Sequence, residues 1–222
     1  MEKNTPLHLQ EIIYGSSNSV VSRRISKWEK EGKVRKIAPR IYTSNLEDPS
    51  EDIIRRNIFP ILGNLYPDAV LSHRSAFEFA PTSSGQLFVT YKYTKKIKFP
   101  GITVRLMEGH PAMAGDSPFS GKLMVSQRER AFLENLQVSR QTGPDSKTLT
   151  FPQIEAKLEK IIRVNGMDEL NKVRDRARTI SKELGMEAAF EKLNKIISAL
   201  LSTRPIKELT SKVAIARSTG NP

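Results

Sequence analysis

The alternation of apolar and polar residues predicts three elements at the start of the chain, separated by glycine and serine. Apolar positions at helical spacing predict a short helix over residues 6–14. A cluster of N-cap formers at residues 16–19 predicts the start of a second helix, which should run to about Glu31 and which Gly32 is placed to end. Two strand-like runs within residues 33–43 then predict a β-hairpin.

The middle of the chain mixes helical and strand patterns. Residues 48–51 predict a helix start in which Asp48 is the N-cap and Glu51 completes a capping box. Residues 86–107 form two or three strand-like runs. Residues 109–121 are rich in Gly, Pro and Ser and predict a loop.

The C-terminal part is helical in pattern from residue 151 to about residue 202, and Gly166 and Gly185 divide it into three helices. A polar segment at residues 139–150 separates it from the middle region. We therefore expect an α+β protein of several parts. Its predicted parts are a winged helix-turn-helix at 1–46, a mixed α/β domain with a small antiparallel sheet at 47–140, a helical domain at 151–203 and a tail at 204–222.

Composition narrows the function classes. The 222 residues carry a net charge of +12 with a pI of about 9.9, an excess that favours polyanionic partners. The chain has no cysteine, which excludes disulfides, thiolate nucleophiles and Cys-based zinc sites. The N-terminus lacks the apolar run of a signal peptide, and no stretch approaches the length of a membrane helix. These features predict a cytoplasmic protein without membrane partners.

Half of the net charge is concentrated near the N-terminus. Residues 16–40 contain eight basic and two acidic residues, a balance of +6. At helical spacing Val21, Ile25 and Trp28 fall on one face, which we expect to pack against Ile12, Ile13 and the hairpin. The candidate DNA-contacting residues lie at the helix start, on the opposite face and in the hairpin: Asn18, Ser19, Ser22, Arg23, Ser26, Lys27, Lys30, Lys33, Arg35, Lys36 and Arg40.

The types of residue on this face suit a helix in the major groove. Short serines let the helix backbone come close to DNA, while Arg and Lys reach phosphates or guanine edges. The basic hairpin that follows would act as a wing on the phosphates. The alternative is a solvated basic helix beside an ordinary hairpin, the usual explanation of a charge run.

A second basic segment combines lysines with aromatics. Its members are Tyr91, Lys92, Tyr93, Lys95, Lys96 and Lys98. Aromatic rings between lysines can stack on single-stranded bases, which would make the protein an RNA-binding module. A half-exposed strand with alternating faces explains the same pattern, and we favour this structural interpretation.

Three segments, taken in order, resemble the AbiEi-type antitoxins and related regulators of type IV toxin–antitoxin systems. The segments are SNSVVSRRISKWEKEGKVRKIAPRIYT, AVLSHRSAFEF and LMVSQRERAFLENL, and the resemblance spans about residues 10–138. It implies a winged helix that binds operator DNA and represses a toxin operon, and a remainder that counters a nucleotidyltransferase toxin. The DNA-contacting positions that it implies are Asn18, Ser22, Arg23, Ser26, Lys27, Lys30, Arg35 and Arg40.

The chain also departs from this family. Leu136 stands where an acidic residue is common, and the C-terminal helices carry no recognisable motif. Similar N-terminal regions occur ahead of Fic-type AMP-transferase domains. The alternative interpretation is therefore the DNA-binding and regulatory region of a longer Fic-type protein.

No motif for enzymatic chemistry is present. The histidines His8, His73 and His110 have no partner at metal-ligand spacing, and we expect a structural role for His73. Residues 109–116 superficially resemble a Fic loop but lack its anion cradle, and the chain has no phosphate-binding or nucleophile-elbow motif. Arg130 and Glu134 fit either surface charges or an i,i+4 pair.

These observations predict a non-enzyme without cofactor or metal. The partners that we expect are double-stranded operator DNA and either a cognate nucleotidyltransferase toxin or a fused Fic domain. The apolar positions of the C-terminal helices also offer a surface for oligomerisation.

Overall fold

The computed structural model describes Pro6, residues 9–139, Gly143 and residues 145–218. For residues 203–218 it describes the backbone and not the side chains. The described residues fold into seven helices and two sheets, so the predicted α+β class is confirmed. The chain divides into two compact units: Met1–Leu71 with Ala80–Val125, and Ser72–Phe79 with Ser126–Pro222. The first unit contains the N-terminal segment together with most of the middle region.

The first unit holds all nine strands and two of the helices. In chain order they are β1 (Ile13–Tyr14), α1 (Ser19–Lys30), β2 (Arg35–Ala38), β3 (Ile41–Thr43), α2 (Ser50–Leu65), β4 (Val70–Leu71), β5 (Gln86–Tyr91), β6 (Lys95–Phe99), β7 (Ile102–Glu108), β8 (Ser117–Ser120) and β9 (Leu123–Val125).

The predicted helix over residues 6–14 is wrong where the structure describes it. Ile13 and Tyr14 form strand β1, which pairs antiparallel with β3 through Ile13–Tyr42 and Tyr14–Ile41. A β-branched and aromatic pair has a high β-propensity, and its pairing partner lies far along the chain. Leu7 and His8, which belong to the same prediction, lie outside the described residues.

Helix α1 begins and ends where its sequence predicts. The side-chain oxygen of Asn18 accepts hydrogen bonds from the backbone N–H groups of Val20 at 2.9 Å and Val21 at 3.3 Å. Gly32 follows the helix with a positive φ of 67°, the backbone conformation that favours glycine. Ile25 is the helix's buried residue.

The apolar side of α1 packs as expected, with one correction. Ile25 forms a small core with Ile13 and Val34, against which Val21 and Trp28 lie. The predicted packing of Ile12 on this face is wrong, because Ile12 contacts the larger core of the unit instead. Within β1, Ile13 and Tyr14 place their side chains on opposite sides, with Ile13 in the small core and Tyr14 against the larger one.

The predicted hairpin is confirmed. β2 and β3 pair antiparallel with an irregularity between Lys36 and Ala38, and the three-stranded sheet has the order β1-β3-β2. Arg40 lies in the turn with a positive φ of 61°. Its carbonyl accepts a 2.7 Å hydrogen bond from the N–H of Gly15, where an added Cβ would come within 3.2 Å of Arg40 Cα. The tip of the hairpin is thereby held against the segment that leads into α1.

The predicted capping role of Asp48 is wrong. Helix α2 begins at Ser50 with Pro49 in the cap position and no side-chain cap. The carboxylate of Asp48 accepts instead from Arg56 at 2.7 Å and from the Asn45 amide at 3.0 Å. The Asp48 carboxylate thus forms a charge-assisted hydrogen bond with the guanidinium of Arg56 in place of a cap.

The small antiparallel sheet predicted for the middle region is wrong, because the larger sheet has six strands in the order β6-β7-β5-β4-β9-β8 and is mixed. Two of its pairs, β4–β9 and β5–β7, are parallel. Helix α2 packs into its core through Ile53, Ile54, Ile58 and Ile61. The half-exposed strand with alternating faces predicted for β5 is wrong, because its four central residues are all buried. β5 is an interior strand, so covered faces remove the alternation.

The loop predicted over residues 109–121 contains a short strand. β8 pairs antiparallel with β9 at the edge of the larger sheet. Gly63 of α2 lies against this hairpin, where an added Cβ would meet the carbonyl oxygen of Ser120. This contact joins residues far apart in the chain, so the local pattern of residues 109–121 does not record it.

The second unit is helical. Its helices are α3 (Ser75–Glu78), α4 (Arg128–Asn135), α5 (Phe151–Asn165), α6 (Met167–Leu184) and α7 (Glu187–Ser218). Gly166 and Gly185, both with positive φ, separate α5, α6 and α7, and this predicted division is confirmed. Helix α7 runs past residue 203, where the sequence predicts the helical pattern to end. Within the described part of the chain, no helix combines the length and apolar character needed to cross a membrane.

Candidate nucleic-acid interface

The outward side of α1 brings together six of the predicted DNA-contacting residues. They line one shallow depression together with Glu31, and they are Ser19, Ser22, Arg23, Ser26, Lys27 and Lys30. All six side chains are exposed. Because Ile25 fixes the opposite side in the core, the orientation of this basic face is set by packing.

Asn18 lies at the start of the same helix but has a structural task. Its side-chain oxygen is occupied by two backbone N–H groups of the first turn. Its own backbone N–H donates to the hydroxyl of Ser16 at 3.0 Å. A ligand would therefore meet the amide nitrogen of Asn18 and not its capping oxygen.

Glu31 neutralises part of the basic surface. Its carboxylate lies 2.8 Å from Lys33 Nζ and 3.7 Å from Lys27 Nζ. The hydrogen bond from Lys33, followed by the charges of Lys33 and Lys27, lowers the pKa of Glu31. Among the described residues, no carboxylate oxygen lies within 4.0 Å of the cationic groups of Arg23 or Lys30.

Arg35 is held inside the protein. Its guanidinium donates to the carbonyl oxygen of Asn45 at 3.0 Å, to the hydroxyl of Ser50 at 3.1 Å and to the carbonyl oxygen of Asp48. These bonds join the hairpin to the start of α2. The structure thus separates Arg35 from the other predicted contacts, since its donors already have protein partners.

The remaining hairpin residues are exposed and lie outside the depression on α1. Lys36 is exposed on β2, and Lys33 is tied to Glu31. Arg40 donates through Nη2 to the carbonyl oxygen of Gly15 at 3.2 Å and remains exposed at the hairpin tip. Lys36 and Arg40 are therefore exposed cations of the hairpin that have no carboxylate partner among the described residues.

The second basic segment belongs to the edge of the larger sheet. Lys96 on β6 pairs in register with Arg105 on β7, and Lys98 pairs with Thr103. Arg105 donates to the side-chain oxygen of Gln86 at 3.1 Å. Lysines on an edge strand also keep other strands from pairing with it, so this patch has a structural explanation.

The tyrosines of that segment pack against one another. The rings of Tyr91 and Tyr93 are 5.1 Å apart and edge-to-face, and Tyr66 meets Tyr91 in the same way at 5.7 Å. Tyr93 is the most exposed of the three, at 44%. The rings contact each other, an arrangement unlike a row of separate platforms for single-stranded bases.

The sequence did not predict a buried polar cluster in the second unit. Glu134 accepts from Arg130 Nε at 2.8 Å, from the backbone N–H of His73 at 3.0 Å and from the hydroxyl of Ser126 at 3.2 Å. The predicted i,i+4 pair of Arg130 and Glu134 is confirmed, but their interpretation as surface charges is wrong, since both are almost fully buried. The sequence feature that indicates their burial is the apolar run Ala131–Leu133 between the two residues.

Burial controls the ionisation of this cluster. Burial raises the pKa of Glu134, while the charge of Arg130 and three hydrogen bonds oppose that rise. Burial, followed by the charges of Lys147 and Arg130, lowers the pKa of His73 to about 3. His73 is therefore neutral at physiological pH, and its backbone N–H positions the loop before α3. This agrees with the structural role expected for it.

The described residues contain no group of three or more His, Asp or Glu side chains arranged to hold a metal ion. The Glu134 carboxylate is satisfied by Arg130 and by hydrogen-bond donors of the protein. The exposed basic face of α1 is thus the candidate site that the structure offers.

No protein-family model matches the chain, and neither does any curated protein or solved structure with which it was compared. The assignment of a function therefore depends on the residues of the α1 surface and of the hairpin.

Proposed function

We propose that this chain binds double-stranded DNA through the exposed face of α1, with the β2–β3 hairpin as a wing. The observation that carries the proposal is one exposed surface on which serines alternate with cations, of which Arg23 and Lys30 have no carboxylate within 4.0 Å among the described residues. Ser22 and Ser26 lie beside Arg23, Lys27 and Lys30 on the side of α1 that faces away from the core.

The dimensions of α1 fit a major groove. An α-helix with its side chains is about 10–12 Å across, and the major groove of B-DNA is about 12 Å wide. The serines allow close approach of the helix backbone, and Arg23 can donate two hydrogen bonds to a guanine edge. Lys27 and Lys30 extend from the same face toward the phosphates, where they supply affinity without sequence preference.

The topology around α1 supports the wing. A strand before the helix pairs with the second strand of the following hairpin, giving the order β1-β3-β2. This pairing joins the segment before α1 to the hairpin after it, so the helix and the hairpin form one small structure that can contact DNA together. The described residues 9–18 contain no α-helix, so the proposed domain is a reduced version with α1 as its recognition helix.

We extend the proposal to transcriptional repression and antitoxin action. This extension rests on the resemblance to AbiEi-type regulators alone. In that role the protein acts in the cytoplasm, binds operator DNA and counters a nucleotidyltransferase toxin. The supporting residues are the basic segment around Arg23 and the two later motifs, which meet at Glu134 through His73 and Ser126. These hydrogen bonds give a structural reason for the two later motifs to occur together. They carry no information about a toxin.

Competition between nucleic acids tests the proposal. The full chain is titrated into a fluorescent duplex taken from the DNA upstream of its own gene, with unlabelled duplex or single-stranded RNA as competitor. We expect duplex to compete at least about tenfold better than RNA, because a helix in a groove needs two strands. Stronger competition by RNA would overturn the proposal.

Variants locate the binding face. We expect Arg23→Ala combined with Lys27→Ala to weaken duplex binding by about tenfold or more at low salt. The matched control replaces two exposed cations of the second unit, Arg163→Ala with Lys182→Ala, and leaves binding nearly unchanged. An equal loss in both double variants would mean that net charge alone drives binding.

A further inference from the structure

The second unit has a groove with an apolar floor and a basic rim. Its volume is about 280 Å³. Four apolar residues, three cations and one amide line it: Phe77, Phe132, Ile161, Val164, Arg128, Lys157, Lys160 and Asn165. The groove is separate from α1, which belongs to the first unit.

Two aromatic rings form part of the floor. The ring centroids of Phe77 and Phe132 are 4.8 Å apart at an interplanar angle of 53°. Ile161 is buried beside them, whereas Val164 is 66% exposed. An exposed β-branched residue next to a buried apolar floor leaves surface that an apolar side chain of a partner can cover.

Two cations of the rim, Lys157 and Lys160, have no carboxylate within 4.0 Å in the described part of the chain. Burial and the nearby charge of Lys160 lower the pKa of Lys157, and the charge of Glu78 opposes them. The ammonium of Lys157 lies 4.8 Å from the centre of the Phe77 ring. No carboxylate oxygen among the described residues lies within 4.0 Å of Lys160 Nζ. An acidic group placed here would therefore gain attraction from two neighbouring ammonium groups.

Arg128 contributes less to an incoming acid. Its guanidinium already lies 2.7 Å from a carboxylate oxygen of Glu169 and 3.1 Å from one of Glu129. Those two glutamates are shared with Arg176. This network fixes Arg128 at one end of the groove. Lys157 and Lys160 are then the charges of the groove that can attract an acidic group.

The groove follows one side of α5. Lys157, Lys160, Ile161 and Val164 are spaced as i, i+3, i+4 and i+7, which places them on a single face of the helix. An elongated surface of this kind matches the apolar stripe of another helix.

We propose that this groove binds an acidic amphipathic helix of a partner protein. Apolar side chains of the partner cover Val164 and the floor formed by Phe77 and Phe132, and its carboxylates pair with Lys157 and Lys160. A second copy of this chain is a poor occupant, because each copy carries a net charge of +12. The proposal does not depend on DNA binding by α1.

A synthetic helix tests the proposal. The probe is a fluorescein-labelled peptide of about 18 residues, built from Glu, Ala and Leu with the leucines on one helical face. A scrambled peptide of the same composition is the control, and both are titrated with the full chain. We expect saturable binding of the amphipathic peptide, at least about tenfold tighter than that of the scrambled one.

Paired variants place the probe on the protein. Val164→Glu is expected to weaken binding by about tenfold or more, while the same change at Val138, which is 83% exposed and outside the groove, has little effect. Lys160→Glu should weaken binding more than Lys182→Glu, which changes the net charge equally. Duplex DNA binding of Val164→Glu should be unchanged.

Two results would overturn this assignment. One is equal affinity for the amphipathic and the scrambled peptide, which includes binding to neither. The other is an equal effect of Val164→Glu and Val138→Glu. Neither result bears on the DNA-binding proposal, whose variants lie in α1.

Discussion

The carboxylate of Glu31 lies 2.8 Å from Nζ of Lys33, across the turn that joins α1 to the hairpin. The same carboxylate is 3.7 Å from Lys27, one helical turn back. The acid therefore sits at the point where the proposed recognition helix meets the proposed wing. It holds two cations that would otherwise be available to phosphates.

We predict that Glu31→Gln tightens duplex DNA binding. The change releases Lys27 and Lys33 and removes a negative charge that would repel phosphates. An affinity gain of about twofold to tenfold at low salt is expected from fluorescence anisotropy, with a smaller gain at high salt. Glu155→Gln on α5 is the matched control, and an equal gain there would contradict this role of Glu31.

Substitutions of Arg35 and Arg23 are expected to change different properties: the first lowers stability, and the second weakens DNA binding. Arg35→Ala removes three donated hydrogen bonds, one of them to Ser50, and should lower the free energy of unfolding by roughly 1–3 kcal/mol. Arg23→Ala should leave stability nearly unchanged and weaken DNA binding, because Arg23 is exposed. Urea unfolding and DNA titration of both variants measure the two effects. A stable Arg35→Ala variant would refute the structural role.

We expect the buried side chains of Arg130 and Glu134 to be coupled in their contributions to the free energy of unfolding. Arg130→Met leaves the Glu134 carboxylate without its charged partner, and we expect a loss of roughly 3–5 kcal/mol in the free energy of unfolding. Adding Glu134→Gln to this variant should recover part of the loss, because the amide oxygen can still accept from the N–H of His73. Additive losses in a double-mutant cycle would show that the two side chains are energetically independent.

His73 should make stability depend on pH. Its pKa is about 3 in the folded protein, below the ordinary histidine value of 6.5, so the unfolded state binds the proton first as the pH falls. Stability conferred by the neutral ring is complete above about pH 6.5 and falls as the pH drops toward about 3.

His73→Asn tests this dependence, because asparagine tolerates the positive φ of 52° at this position. Between pH 7.5 and pH 5 the wild-type chain should lose about 2 kcal/mol more unfolding free energy than the variant. Urea titrations at both pH values measure the difference. Parallel pH profiles would show that His73 does not titrate as described.

Local signals in the sequence were sufficient for α1 and the hairpin. The cap at Asn18 and the stop at Gly32 act through neighbouring backbone groups, so short segments predict them. Strand β1 was missed because Ile13 is fixed by pairing with Tyr42, a contact that no local pattern records. The six exposed residues on α1 were predicted correctly as one face because helical spacing alone determines it.

The roles of individual charged residues depended on tertiary contacts. Arg35 was predicted to contact DNA, but its partners are the backbone oxygens of the segment before α2. The position of Glu134 in the sequence fits either a surface or a buried side chain. The hydrogen bond from the backbone N–H of His73, which is distant in the chain, accompanies its burial. A charged residue at the correct helical or strand position can therefore bind a ligand or stabilise the fold, and the sequence does not distinguish the two.

The salt dependence of duplex binding tests DNA recognition by α1 most directly. The logarithm of the association constant should fall linearly with the logarithm of salt concentration, by about 0.9 for each phosphate contact. The variant with Lys27→Ala and Lys30→Ala, which removes two proposed phosphate contacts, should show a slope shallower by about 2. Binding that is insensitive to salt, or a slope unchanged in this variant, would contradict the proposal that α1 contacts the DNA.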